Sequence, residues 1–158
     1  MPVNTAKVSD RRTLHFERMD QILAEATRLA AGPYQRRGNW SLGQICDHLA
    51  RTIQGSLDGL PFTAPWYVRI FARLMKGRWL NGKMPAGFNL PEKAAAHLVG
   101  PEPSDAAGLA TLRAAIERFQ SEPKRAPSPV FGTMSNDDWI KLHCRHSELH
   151  LSFLQPGA

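Results

Sequence analysis

The chain has 158 residues, 42% of them hydrophobic, with four Trp, seven Phe and a formal charge of +6. That is enough apolar material for one domain, residues 1–158, with a true core, and nothing in the length asks for a second. No stretch approaches the ~18 uncharged apolar residues of a membrane span, and two cysteines, Cys46 and Cys144, are too few for a disulfide framework.

The remaining totals narrow the class. Arg11-Arg12 is followed by no apolar run, so the N-terminus does not read as a signal peptide. Together with the free cysteines, read as buried thiols rather than nucleophiles, this points to the cytoplasm. A basic balance is compatible with nucleic acid or an anionic membrane surface. Here the cations are spread over Arg11, Arg12, Arg36, Arg37, Arg69, Arg73, Lys76, Arg78 and Lys83. They form no RNA-binding aromatic motif, zinc-finger spacing or helix-turn-helix, which argues against nucleic acid. An anionic small substrate or plain solubility explains them as well.

In chain order, a first helix is expected from Ser9 or Asp10, either a good N-cap, with Phe16, Met19, Leu23, Ala26 and Ala30 as its stripe. Gly32-Pro33 ends it, and His15 lies off the apolar centre, exposed. After a polar loop, Ser41-Leu42-Gly43-Gln44 reads as a capping box. It opens a second helix whose buried face is Leu42, Ile45, Leu49 and Ile53. His48 lies roughly 110° from the centre of that stripe, where it either reaches a pocket at the core's edge or is half-exposed.

Residues 61–91 are less regular. Pro65 to Gly77 reads as a short helix begun near Pro65, with Arg69, Arg73 and Lys76 on one cationic edge and Trp66, Ile70, Phe71, Leu74 and Met75 over the rest. Such a helix either packs on its own core or a second subunit, or lies on an acidic partner or anionic membrane. Gly77, Asn81-Gly82, Pro85, Gly87 and Pro91 then mark an irregular rim or lid. A helical turn is expected over Pro91–Val99. A third principal helix begins at Ser104, with Asp105 in its first turn and a stripe of Leu109, Leu112, Ile116 and Phe119. Pro123, Pro127 and Pro129 keep the chain extended, and Ser135, spaced from Asp138 like another capping box, opens the last helix. With no run of alternating apolar residues, the expected class is all-α, a four-helix bundle with an extra short helix and an irregular segment between helices two and three.

The last helix, Asp138 to Leu154, carries the chemistry. Trp139, Leu142, His146, Leu149 and Phe153 fall on one side at about 100° per residue, and His143, His146 and His150 fall on that side too. Buried imidazoles need partners, because an unsatisfied polar group costs on the order of 1–3 kcal/mol. Three in a column suggest a metal or catalytic cluster; the alternative is a hydrogen-bonded core or an interface. His146 and His150 form an H-x-x-x-H pair, which sets two imidazoles about 5–6 Å apart on one face, the spacing that clamps zinc on a helix. Such a pair needs a third ligand from elsewhere.

The segment Gly38-Asn39-Trp40-Ser41-Leu42-Gly43-Gln44-Ile45-Cys46-Asp47-His48-Leu49 and the ending His146-Ser147-Glu148-Leu149-His150-Leu151-Ser152-Phe153-Leu154 resemble the DinB/YfiT-like superfamily of bacterial helical bundles, in particular its branch described only as a domain of unknown function. The resemblance spans nearly the whole chain, though its specific part is three histidines. It implies that His48, His146 and His150 ligate one divalent metal, zinc or nickel. Three His with coordination positions left for water is a catalytic rather than a structural pattern, and such a metal activates a bound water or thiol. Active relatives use low-molecular-weight thiols, as S-transferases or as a maleylpyruvate isomerase, so a metal-dependent transferase, hydrolase or isomerase acting on a small molecule is implied, as is a homodimer. His143 becomes a supporting donor to the ligands, a proton shuttle, or a ligand in its own right. The competing reading is a non-catalytic module whose basic helix 65–77 takes a protein, membrane or nucleic-acid partner.

Overall fold

The structure is a computed structural model and describes residues 1–157. Its helices are α1 (Met19–Ala30), α2 (Leu42–Asp58), α3 (Trp66–Asn81), α4 (Glu92–Leu98), α5 (Asp105–Ser121) and α6 (Asn136–Leu151). Two short strands, β1 (Tyr34–Arg36) and β2 (Leu154–Pro156), pair antiparallel with Gln35 opposite Gln155. The protein is all-α in class. α1 and α2 each touch both α5 and α6, forming a bundle, and α3 and α4 are the additions between helices two and three of that bundle.

Local chemistry explains most boundaries. The Ser41 hydroxyl accepts from the Gln44 amide while the Gln44 side chain accepts from the Ser41 amide, the reciprocal pair expected of the capping box. Ser104 and Ser135 cap α5 and α6 in the same way on one side only. The Asp138 carboxylate does not complete a box with Ser135; it pairs instead with Lys76 of α3 at 2.5 Å. Leu42, Ile45, Leu49 and Ile53 are all buried, as are Leu112, Ile116 and Phe119.

Three expectations need correcting. The first helix starts at Met19, not at Ser9 or Asp10. Residues before it are extended because their polar groups are bound to the far end of α6: the Arg12 amide donates to the Ser152 carbonyl at 3.1 Å and the Phe16 amide to Glu148 Oε1 at 2.6 Å. The Gln21 side chain then accepts from the Glu17 and Arg18 amides and starts the helix. Its buried stripe is Met19, Ile22, Ala26 and Leu29; Leu23 is half-buried and Ala30 exposed. Second, α3 runs through Gly77 to Asn81. Trp79 packs edge-on against Phe131 and Leu80 is buried, and this burial outweighs the ~1 kcal/mol helix penalty of one glycine. Third, α6 ends at Leu151, so Phe153 and Leu154 lie beyond it and lead into β2.

Candidate metal centre

Three elements deliver the site. α2 is held by its capping box and its apolar stripe, and its register brings His48 to the bundle interior, 4% exposed, rather than leaving it half-exposed at the flank. The short helix α4 ends over it. The last carbonyls of any helix lack an intrahelical donor, and the Leu98 carbonyl takes His48 Nδ1 at 2.8 Å. A carbonyl only accepts, so Nδ1 carries the proton and Nε2 presents a lone pair. A backbone carbonyl fixing the tautomer in this way is the usual support of a metal-binding histidine.

α6 supplies the other two. Trp139, His143, Cys144, Ser147 and Leu151 of this helix are buried, while His146 and His150, like Leu142 and Leu149, are half-buried. His146 and His150, one turn apart, bring their Nε2 atoms to 3.0 Å. His48 Nε2 lies 3.2 Å from His146 Nε2. One ligand atom from each of the three histidines falls within 4.8 Å of the other two, a cluster able to hold a metal ion. Tetrahedral zinc with bonds of 2.0–2.1 Å sets adjacent nitrogens about 3.3 Å apart, close to the two short separations seen.

Hydrogen bonding alone serves this arrangement poorly. His48 Nε2 is a lone pair, so the contact with His146 requires a proton on His146 Nε2. That single proton then also faces His150 Nε2. Two contacts among three ring nitrogens share one hydrogen, whereas a cation at their centre would engage three lone pairs at once.

The electrostatics keep those lone pairs free. Burial lowers the pKa of His48, opposed by its bond to Leu98. Burial, helped by His48, pushes His150 down to about 3, and burial followed by the two neighbouring imidazoles holds His146 well below the ordinary histidine value. All three are neutral at neutral pH.

Trp40, unassigned by sequence reasoning, belongs to the site. Its indole stacks on His150 at 5.2 Å between centroids and 13° between planes, and lies 5.0 Å from the His48 ring. The signal available in the sequence was its place one residue before the Ser41 cap, at the end of α2 where the core begins. The Leu98 carbonyl had no sequence signal, because any residue carries a carbonyl.

His143 is not in the cluster. It is 3% exposed, stacked on Trp139 and edge-on to Phe119, with Nε2 at 3.1 Å from the Ser56 hydroxyl. Ser56 donates its own proton to the Ile53 carbonyl at 2.6 Å, so His143 is the donor in this pair. Asp47 faces Arg51 at 2.7 Å and does not join the histidines. Cys46 and Cys144 are fully buried, and burial raises their thiols to about 12 and about 11, so neither is a nucleophile. A surface recess of about 510 Å³ beside Glu17–Asp20, Phe119 and Arg125 is lined by none of the three histidines.

The model of a family described as "Protein of unknown function (DUF1569)" matches residues 8–157. The chain belongs to the DUF1569 family. Both halves of the histidine cluster lie inside the matched region, as does the N-terminal segment fastened to α6. No curated protein and no solved structure matches this DUF1569 chain.

Proposed function

We propose that His48, His146 and His150 hold one divalent cation, zinc or nickel by ligand type, and that this DUF1569 protein is a metal-dependent enzyme of the DinB/YfiT-like kind acting on a small molecule. The reading rests above all on the ring-nitrogen triangle in which His48 is locked by Leu98 with its lone pair inward. Three neutral imidazoles leave the ion its full positive charge and leave coordination positions open. When bound, the metal supplies the lowering of a ligand's pKa that makes water or a thiol nucleophilic near neutral pH.

The protein's own part is placement and exclusion. Leu98 holds the His48 ring, the i, i+4 spacing holds the other two, and Trp40 covers His150 and limits water on that side. Because Cys46 and Cys144 are buried and protonated, a thiol nucleophile would have to come from solution. Thiol transfer to an electrophile and hydrolysis by bound water are then the same chemistry on two different nucleophiles.

The test is elemental analysis of untagged protein beside His48→Ala and His150→Ala. About one divalent ion per chain in the parent and little in either variant is the expected result. Full metal content in both variants, or no uptake by the parent from added zinc or nickel, overturns the assignment. A parent that binds metal but leaves small thiols and electrophiles unreacted retains the site and loses the transferase.

A further inference from the structure

Between Asp58 and Glu92 the chain has no acidic residue, yet this stretch carries Arg69, Arg73, Lys76, Arg78 and Lys83, five cations in a protein whose formal charge is +6. The rest of the chain is therefore close to neutral. The stretch is also where apolar side chains face water. A bundle helix ordinarily turns its apolar stripe inward, but in α3 only Ala72 and Leu80 are buried. On the side away from α6, Trp66, Ile70, Leu74, Tyr67 and Phe71 sweep one continuous arc at 100° per residue. Leu74, near the middle of that arc, is 80% exposed and Trp66 72%. Phe88, in the same acid-free stretch, is 79% exposed. Arg73 borders the arc and Arg78 closes its C-terminal end. Of the five cations only Lys76 is in an ion pair among the described residues, with Asp138.

We infer that α3 docks by this face on an anionic lipid membrane, lying in the interface with its apolar arc among the acyl chains and its cations at the headgroups. An exposed face of Trp, Tyr, Phe, Ile and Leu edged by arginine and lysine is the composition that interfacial helices use. At 16 residues α3 lies on a bilayer rather than crossing it, and no helix among the described residues is long and apolar enough to span one. A second copy fits the face less well. A two-fold interface sets the same patch against itself, which would bring Arg73 and Arg78 toward their own counterparts with no carboxylate in the stretch to separate them. Nucleic acid fits less well again, since phosphate contacts need cations at the centre of the surface, where α3 places Ile70 and Leu74. The inference is independent of whether the histidines hold a metal.

The experiment is co-sedimentation of the full chain with vesicles of equal parts phosphatidylcholine and phosphatidylglycerol, beside vesicles of phosphatidylcholine alone. The expected result is binding to the anionic vesicles only, weakened by salt near 1 M, where the screening length is about 3 Å. Leu74→Glu should lower the bound-to-free ratio by roughly tenfold or more, and Arg73→Gln with Arg78→Gln by a similar factor. Both changes fall on exposed positions, so the far-ultraviolet circular dichroism and thermal midpoint should match the parent. Absence of binding to the anionic vesicles, binding indifferent to Leu74→Glu, or equal binding to uncharged vesicles overturns the inference. So does a dimer in lipid-free solution that Leu74→Glu dissolves when vesicle binding is missing, or oligonucleotide binding in its place.

Discussion

An imidazole sealed between two aromatic rings with no solvent route is held neutral by its surroundings, and His143 is in that condition between Trp139 and Phe119. Burial pushes it down to about 3. Its folded pKa therefore lies below the ordinary value of 6.5, which the unfolded chain regains. Above that value neither state binds the proton and nothing is lost. As pH falls through 6.5 toward 3 the unfolded chain takes up a proton that the folded one refuses, so stability declines by up to about 1.4 kcal/mol per pH unit. His146 and His150 add to the slope in the metal-free protein, so the contribution of His143 is read by difference. His143→Gln keeps an amide donor toward Ser56 and removes the titration. In chelator, denaturant unfolding between about pH 6 and pH 4 should lose about one proton's worth of slope in this variant, roughly 1.4 kcal/mol per unit. An unchanged slope would show that His143 is not the neutral buried donor described. Metal content should stay at the parental level, since His143 bonds Ser56 and not the cluster.

At the level of elements, α2 packs closely on α5, and that approach is made by glycines. A side-chain carbon at Gly43 would meet the Pro103 carbonyl oxygen at 2.5 Å, and one at Gly108 would run into the Gly43 backbone. The same corner holds Asp105, whose carboxylate accepts from the Gly43 amide at 2.8 Å and from the Tyr34 hydroxyl at 2.8 Å. It thus caps α2 from a neighbouring helix, which exceeds the first-turn role its sequence position suggests. Gly108→Ala must push α5 off α2, because the obstacle is backbone and not a movable side chain. Overpacking of this sort costs about 1–3 kcal/mol, visible as a lower denaturation midpoint with little change in the denaturant slope. A parental midpoint would mean that the helices can separate freely there. Serine caps and 3.6-residue apolar stripes make α2 and α5 legible in the sequence. The glycine crossing is not legible there, because a glycine in a helix reads as a mild cost unless the partner backbone beside it is known.

For the molecule as a whole, what is legible is whatever is local in sequence. The H-x-x-x-H pair and the apolar stripes depend on neighbours three and four residues away, so the all-α class, the bundle and the pair His146 and His150 can be read directly, whereas His48, 98 positions from His146, is joined to them in the sequence only by the resemblance to the DinB/YfiT-like superfamily. The start of α1 cannot, since residues 8–17 have helix-compatible spacing and good caps but bond to partners more than a hundred positions along the chain. Arg12 is the clearest case: its guanidinium donates to the Leu151 and Leu154 carbonyls and pairs with Glu25, satisfying the end of α6 from outside. The centre of this strap is a buried ion pair, Arg145 with Glu148 at 2.8 Å, both side chains at most 10% exposed. Glu148 Oε1 also takes the Phe16 amide, and Arg145 donates to the Phe16 carbonyl and to His15 Nδ1. Removing one member of such a pair leaves a buried charge without its partner, a loss of about 3–5 kcal/mol. Glu148→Gln keeps the shape and one acceptor for Phe16 while discarding the charge, so it should cost about 3 kcal/mol. Restoring neutrality with Arg145→Met in the same chain should recover part of that loss, the two changes being non-additive because the groups touch. Because α6 carries two of the three histidines, the single variant should also expose residues 8–18 to proteolysis and weaken metal retention. Additive losses in the double variant would show that the pair is not coupled, and an untouched metal content in Glu148→Gln would show that the strap is not what steadies α6 under His146 and His150.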